Sequence, residues 1–194
     1  MVDFEKLKQL RQETSVSMME CKKALEQAGG DLEKAKEILR KKGMELAAQK
    51  EASGTTEGII ESYIHSNKKI GVLLDIRCET DFVARSQEFK KLAHELALHI
   101  AAMAPKFVRP DDIPGEYLDG ERKIYREQFL GSGKPEKLIA EIVEGKIKKL
   151  KEEISLLNQP FVKDPGKTVK ELINEYIAKL GENIVIKKFV RYEI

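Results

Sequence analysis

The chain has 194 residues, with 35 basic and 33 acidic side chains and a formal net charge of +2. At 35 % charged and 41 % apolar residues it is a globular rather than a disordered chain, and its balanced charge argues against a strong sequence-independent hold on nucleic acid. Two cysteines with no CxxC pair and three histidines supply neither a disulfide scaffold nor a zinc set, and no apolar run nears the about 18 residues of a membrane span.

The amino terminus, Met1-Val2-Asp3-Phe4-Glu5, lacks the basic and then apolar regions of a signal peptide, so a reducing, cytoplasmic compartment is expected. Residues 1–43 are expected to form a compact three-helix module. Phe4, Leu7 and Leu10 give a first helical stripe. Ser17 and Glu20 have capping-box spacing, so a second helix starts there with Met18, Cys21, Leu25 and Ala28 recurring until Gly29-Gly30. Asp31 can cap a third helix that turns Leu32, Ala35, Ile38 and Leu39 inward, and Gly43 is expected to close it. Residues 44–56 shift to Ala, Gln, Lys, Ser, Gly and Thr, which suits a linker.

Residues 57–194 read as an α+β core. Glu57 to His65 and Lys69 to Cys78 are strand-like, joined by the turn Ser66-Asn67-Lys68. In the second run Ile70, Val72, Leu74, Ile76 and Cys78 share one face, opposed by Lys69, Asp75 and Arg77. Ser86 to Met103 is an amphipathic helix with Phe89, Leu92, Leu96, Ile100 and Met103 in line. A helical hairpin is expected near 114–158. Leu118, Arg122, Tyr125 and Phe129 form its first stripe, and Ile139, Val143, Ile147, Leu150, Ile154 and Leu157 form a near-heptad second seam. Thr168 with Glu171 starts a further helix carrying Val169, Leu172, Ile173, Tyr176, Ile177 and Leu180, stopped at Gly181. The tail places Ile184, Ile186, Val190, Tyr192 and Ile194 on one face, as a third strand beside the hairpin.

Several stretches bear on function. Gly131-Ser132-Gly133-Lys134 has the wrong spacing for a phosphate loop, and Pro135 stands where a hydroxyl should ligate metal, so it reads as a hairpin turn. His94 and His99 lie five apart, not at the i, i+4 spacing of a helical metal pair. Glu79 and Asp81 are carboxylates suited to acid–base work or a hard cation, but no third ligand or nucleophile accompanies them in a motif. Met18 and Met19 are about 100° apart on a helix, which is compatible with one in the core and the other offering an adaptable apolar contact, and equally with both packed partly inside. In Thr80-Asp81-Phe82-Val83-Ala84-Arg85, between a strand and a helix, composition alone would fold Phe82 back into the core.

Three stretches carry a resemblance. Leu10-Arg11-Gln12-Glu13-Thr14 runs on through Met18-Met19-Glu20-Cys21-Lys22-Lys23-Ala24-Leu25 to Gly30-Asp31. Ile70-Gly71-Val72-Leu73 leads into Cys78-Glu79-Thr80-Asp81-Phe82-Val83-Ala84-Arg85. Gln159-Pro160-Phe161-Val162-Lys163-Asp164-Pro165 and Lys167-Thr168-Val169 precede a terminal Arg191-Tyr192-Glu193. In this order they resemble bacterial elongation factor Ts, the nucleotide-exchange factor of elongation factor Tu. The family's usual Gly-Ala-Gly before the Met pair reads Ser15-Val16-Ser17 here.

The resemblance implies a ubiquitin-associated-like three-helix module, then a three-stranded antiparallel sheet packed with helices and a helical hairpin. It implies that Thr80, Asp81, Phe82 and Val83 enter the nucleotide-binding domain of elongation factor Tu, with Phe82 as a wedge that disturbs the magnesium site. This reverses the composition-based placement of Phe82. Met18, Met19 and Lys22 would contact the same partner domain. No cofactor, metal or catalytic residue of the chain's own is expected, and no membrane or direct nucleic-acid partner. Short members resemble half of the long architecture and act as homodimers, so residues 57–194 are also expected to carry the dimer surface. The alternatives are a helical peptide- or protein-binding adaptor without exchange activity, a metal-dependent hydrolase using Glu79 and Asp81, and an RNA-binding protein.

Overall fold

The computed structural model describes residues 3–14, 16–131 and 133–194; the readings at Met1, Val2, Ser15 and Ser132 lie outside the described residues. The chain runs through α1 (Phe4–Thr14), α2 (Met18–Gln27), α3 (Leu32–Lys50), β1 (Glu57–Ile64), β2 (Ile70–Cys78), α4 (Asp81–Arg85) and α5 (Gln87–Met103). It continues through α6 (Gly115–Glu127), α7 (Glu136–Ile154), β3 (Pro160–Phe161), β4 (Asp164–Thr168), α8 (Val169–Leu180) and β5 (Val185–Glu193). The fold is α+β. β1, β2 and β5 form an antiparallel sheet in the order β1-β2-β5, with the expected carboxy-terminal strand beside the hairpin. Two compact units divide the chain: Met1–Glu61 with Leu74–His94 and Glu171–Lys187, and Ser62–Leu73 with Glu95–Lys170 and Lys188–Ile194.

In the first unit, Leu7, Leu10, Cys21, Ala24, Leu25, Ala35 and Leu39 form the buried centre of α1 to α3. Phe4 and Met18, expected in the same stripes, are not buried. Ser17 Oγ accepts from Glu20 N at 3.3 Å, and Asp31 Oδ1 accepts from Lys34 N at 3.1 Å, so both predicted caps start their helices. The expected stop at Gly43, and with it a linker beginning at residue 44, is corrected: α3 continues to Lys50. The cause is packing. A Cβ on Gly43 would stand 3.1 Å from Ala178 Cβ, so glycine here admits α8 rather than ending α3, and Ala47 is buried one turn on. The roughly 1 kcal/mol that a mid-helix glycine costs is offset by that close approach. β2 buries Val72, Leu74, Ile76 and Cys78 as its alternation predicts. Asp75, on the other face, is also buried, with Arg77 Nη2 donating to its Oδ2 at 3.0 Å.

In the second unit, α6 and α7 form the predicted hairpin around Ile113, Leu118, Ile139, Val143 and Ile147. The seam's last residue is corrected. α7 ends at Ile154, Leu156 N donates to Phe107 O at 2.9 Å, and Leu156 rather than Leu157 is fully buried. β3 and β4 pair antiparallel, a hairpin that Pro160, Pro165 and Gly166 conceal in the sequence. β5 does not keep its even residues inward throughout. Ile184 and Ile186 are buried, but Arg191 Nε donates to Ala101 O at 3.1 Å and Val190, Tyr192 and Ile194 are exposed. The inward parity changes across Lys187-Lys188, where two successive side chains are exposed.

This unit also holds a buried polar hub. Gln159 Nε2 donates to Glu153 O at 2.6 Å, and Gln159 Oε1 lies 3.0 Å from His99 Nε2. Val162 N donates to His99 Nδ1 at 3.2 Å. A neutral imidazole protonated on Nε2 satisfies both contacts; a second proton on Nδ1 would face the Val162 N–H. Burial accordingly lowers the His99 pKa from 6.5, against the opposing hydrogen bond with Gln159. The unfolded chain therefore takes up the proton at higher pH than the folded one. His99 contributes stability in full above pH 6.5, and loses it as the pH falls from there through the lowered folded value. Unfolding free energies from urea titrations are expected to drop over that interval, by at most about 1.4 kcal/mol per pH unit. His99→Gln should flatten the dependence, and equal slopes in the two proteins would refute the assignment.

Candidate functional site

The turn that leaves β2 is short and fully specified. Cys78 ends the strand with its thiol donating to Thr80 O at 3.2 Å. Burial first, and the Glu182 carboxylate second, push the Cys78 thiol up to about 11, so it is an inert structural residue. Thr80 caps α4: its Oγ1 accepts from Val83 N at 3.4 Å. The sequence predicts no helix before Ser86, yet α4 fills Asp81–Arg85. Asp81 and Arg85 span it with a 3.0 Å ion pair, and Ala84 is its buried residue. Ser86 then turns the chain into α5: its hydroxyl donates to Val83 O at 2.8 Å and accepts from Phe89 N at 3.2 Å.

On this scaffold Phe82 points outward and is 84 % exposed. An aromatic side chain of that size left in water is anomalous for a core residue, and the local geometry explains it: Ala84 takes the inward position of so short a helix. Asp81 stands beside it and Val83 is half-buried beneath.

Two ties from distant sequence hold the turn. Glu182 Oε2 accepts from Glu79 N at 3.2 Å and Thr80 N at 3.0 Å, while its Oε1 accepts from Thr80 Oγ1 at 2.6 Å. Glu79 answers in kind: its Oε1 accepts from Asn183 N at 2.7 Å and from Lys50 Nζ at 3.1 Å. The Asn183 N–H first, and then Lys50, hold the Glu79 carboxyl below its ordinary 4.5 against partial burial. Glu79 is thus committed to structure, which removes it from any acid–base pair with Asp81. Among the described residues no group of three or more His, Cys, Asp and Glu side chains is placed to hold a metal ion.

The second predicted set sits on α2. Met19 is 65 % exposed and Met18 37 %, so neither enters the module core. Lys22, one turn on, is exposed and lies 4.0 Å from Glu26. The two sets share one compact unit, and Lys50 at the end of α3 ties the helical module to the turn through Glu79. Glu182 and Asn183 escape the sequence reading: they follow the helix stop at Gly181, more than 100 residues from the turn, and no local pattern announces them.

A family model described as elongation factor TS matches residues 5–194. Over 194 residues the chain is 52 % identical to the protein named elongation factor Ts of Thermosipho melanesiensis, spanning 100 % of this chain and 99 % of that one. It is 53 % identical over 191 residues to elongation factor Ts of Rubrobacter xylanophilus, with 98 % of each chain covered. Against elongation factor Ts of Carboxydothermus hydrogenoformans it is 50 % identical over 194 residues, covering 100 % of this chain and 89 % of that one.

Proposed function

The chain belongs to the elongation factor Ts family, and from that premise we propose that Phe82 is the wedge by which it frees nucleotide from elongation factor Tu. Its role is nucleotide exchange in translation elongation. The observation that carries the wedge reading is the exposure of Phe82 on a turn whose backbone is held at Thr80 by Glu182 and at Val83 by the Ser86 hydroxyl. Thr80 and Val83 support the wedge, Asp81 makes a polar contact beside it, and Met18, Met19 and Lys22 dock the module on the same partner. The site of action is the cytoplasm.

The mechanism is a coupling between two binding equilibria. A factor that holds nucleotide-free partner more tightly weakens nucleotide by the same factor, and nucleotide weakens the factor in return. A thousandfold weakening corresponds to about 4 kcal/mol, a scale that one buried aromatic anchor with satellite contacts can supply. Displacing the partner's magnesium removes the largest local charge that opposes the phosphates. GDP leaves, GTP enters by mass action and the factor is released. The chain makes and breaks no covalent bond, so no catalytic side chain of its own is required.

The factor works as a homodimer. In support, the second unit leaves Ile64, Leu73, Val190 and Tyr192 exposed on its strands and Ile194 exposed just past β5, apolar surface of the kind that a second copy covers.

Phe82→Ala is expected to slow release of a fluorescent GDP analogue from elongation factor Tu by at least about thirtyfold in kcat/KM, as an anchor residue does, with an unchanged thermal midpoint; Asp81→Ala should lose less. Wild-type release rates in Phe82→Ala would sink the wedge. Sedimentation should give a dimer for the wild-type chain and a monomer for Leu73→Glu/Tyr192→Glu. A monomeric wild-type chain would exclude the dimer.

A further inference from the structure

We propose that Glu182 is a positioning residue for nucleotide exchange, holding the Phe82 turn in its inserting conformation from the far end of the chain. The proposal rests on the wedge reading above and assigns the element that makes the wedge rigid. Five residues of helix have no independent stability, because helix nucleation fixes several residues for one hydrogen bond. The Asp81–Arg85 pair is exposed at 44 % and 80 % and adds little. The conformation of α4 therefore depends on its cap and on what fixes that cap.

Glu182 fixes it twice over. One carboxylate oxygen takes both backbone N–H groups that enter the helix, those of Glu79 and Thr80. The other accepts the Thr80 hydroxyl proton at 2.6 Å, which leaves the lone pairs of Thr80 Oγ1 for Val83 N. The Thr80 hydroxyl alone is a free rotor; with Glu182 present it is committed to the capping orientation. Glu182 is itself placed by Gly181, whose φ of +75° ends α8, and by Asn183, whose N–H is held on Glu79 and whose Nδ2 donates to Ser53 O at 3.0 Å. Each turn's carboxylate thus binds the other turn's backbone. A pre-set turn inserts Phe82 without first ordering the segment, and ordering lost before binding is lost from affinity.

The test compares Glu182→Ala, Glu182→Asp and Glu182→Gln, alone and with Phe82→Ala, in the full chain. Release of a fluorescent GDP analogue from elongation factor Tu is the readout, with amide hydrogen exchange at Thr80 and Val83 alongside. Glu182→Ala is expected to lower kcat/KM about tenfold, through a raised KM, on the scale of ordering one short segment. Glu182→Asp, which withdraws the carboxylate without leaving a cavity, should lose several-fold and serves if the alanine variant does not fold. Glu182→Gln should recover most of the activity, since its amide accepts from Thr80 N–H and donates to the hydroxyl. In the Phe82→Ala background the Glu182 substitutions should change the rate less than about twofold, because the residue acts through Phe82. Normal exchange in Glu182→Ala and Glu182→Asp beside a slow Phe82→Ala would overturn the clamp alone. An undiminished Glu182 effect in the Phe82→Ala background would overturn it too. A normal rate in Phe82→Ala itself would overturn the wedge and the clamp together.

Discussion

Two carboxylates, each bound to the backbone of the other's turn, are the constraint on which the Phe82 turn depends. Glu182 gathers the N–H groups of Glu79 and Thr80, and Glu79 gathers that of Asn183. Hydrogen bonds to a charged acceptor are roughly twice as strong as neutral ones, so this exchange joins the exit of β2 to the end of α8 with more than ordinary loop contacts. Lys50 enters the same arrangement and brings the end of α3 with it. The helical module, the turn and the last helix are thereby fastened at one place in the first unit.

Rigidity at that place resolves an apparent contradiction. Phe82 is the kind of residue a fold hides, yet it stands in water on a helix too short to persist by itself. The backbone beside it is held at named points: Thr80 N donates to Glu182, Val83 N donates to the Thr80 hydroxyl, and Val83 O accepts from the Ser86 hydroxyl. The second unit has a different character. Beside its apolar core it holds a histidine and a glutamine that share buried hydrogen bonds, and its strands leave apolar side chains outward.

Much of this was legible in the residues. Ser17 and Asp31 announce helix starts because a cap is a local event, read over three positions. The alternation of Val72, Leu74, Ile76 and Cys78 announces a half-buried strand for the same reason. The outward Phe82 was legible only through its motif, since apolar character by itself argues for burial. What stayed hidden depends on residues far apart in the chain. Gly43 looks like a helix stop until Ala178 arrives against it, and Glu182 looks like any loop acid until it meets Thr80. The change of parity in β5 and the Pro-rich β3–β4 hairpin are likewise set by what they pack against or pair with, and their own patterns point elsewhere.

The wedge proposal is positional: it would have Phe82 enter the nucleotide-binding domain of elongation factor Tu beside its magnesium site. Replacing Phe82 with the photoreactive p-benzoylphenylalanine and irradiating the nucleotide-free complex reads that position directly by peptide mapping. The account predicts adducts confined to the partner's nucleotide-binding domain next to the magnesium ligands, suppressed by excess GDP and magnesium. Adducts on another domain of the partner, or none in a complex that demonstrably forms, would contradict it.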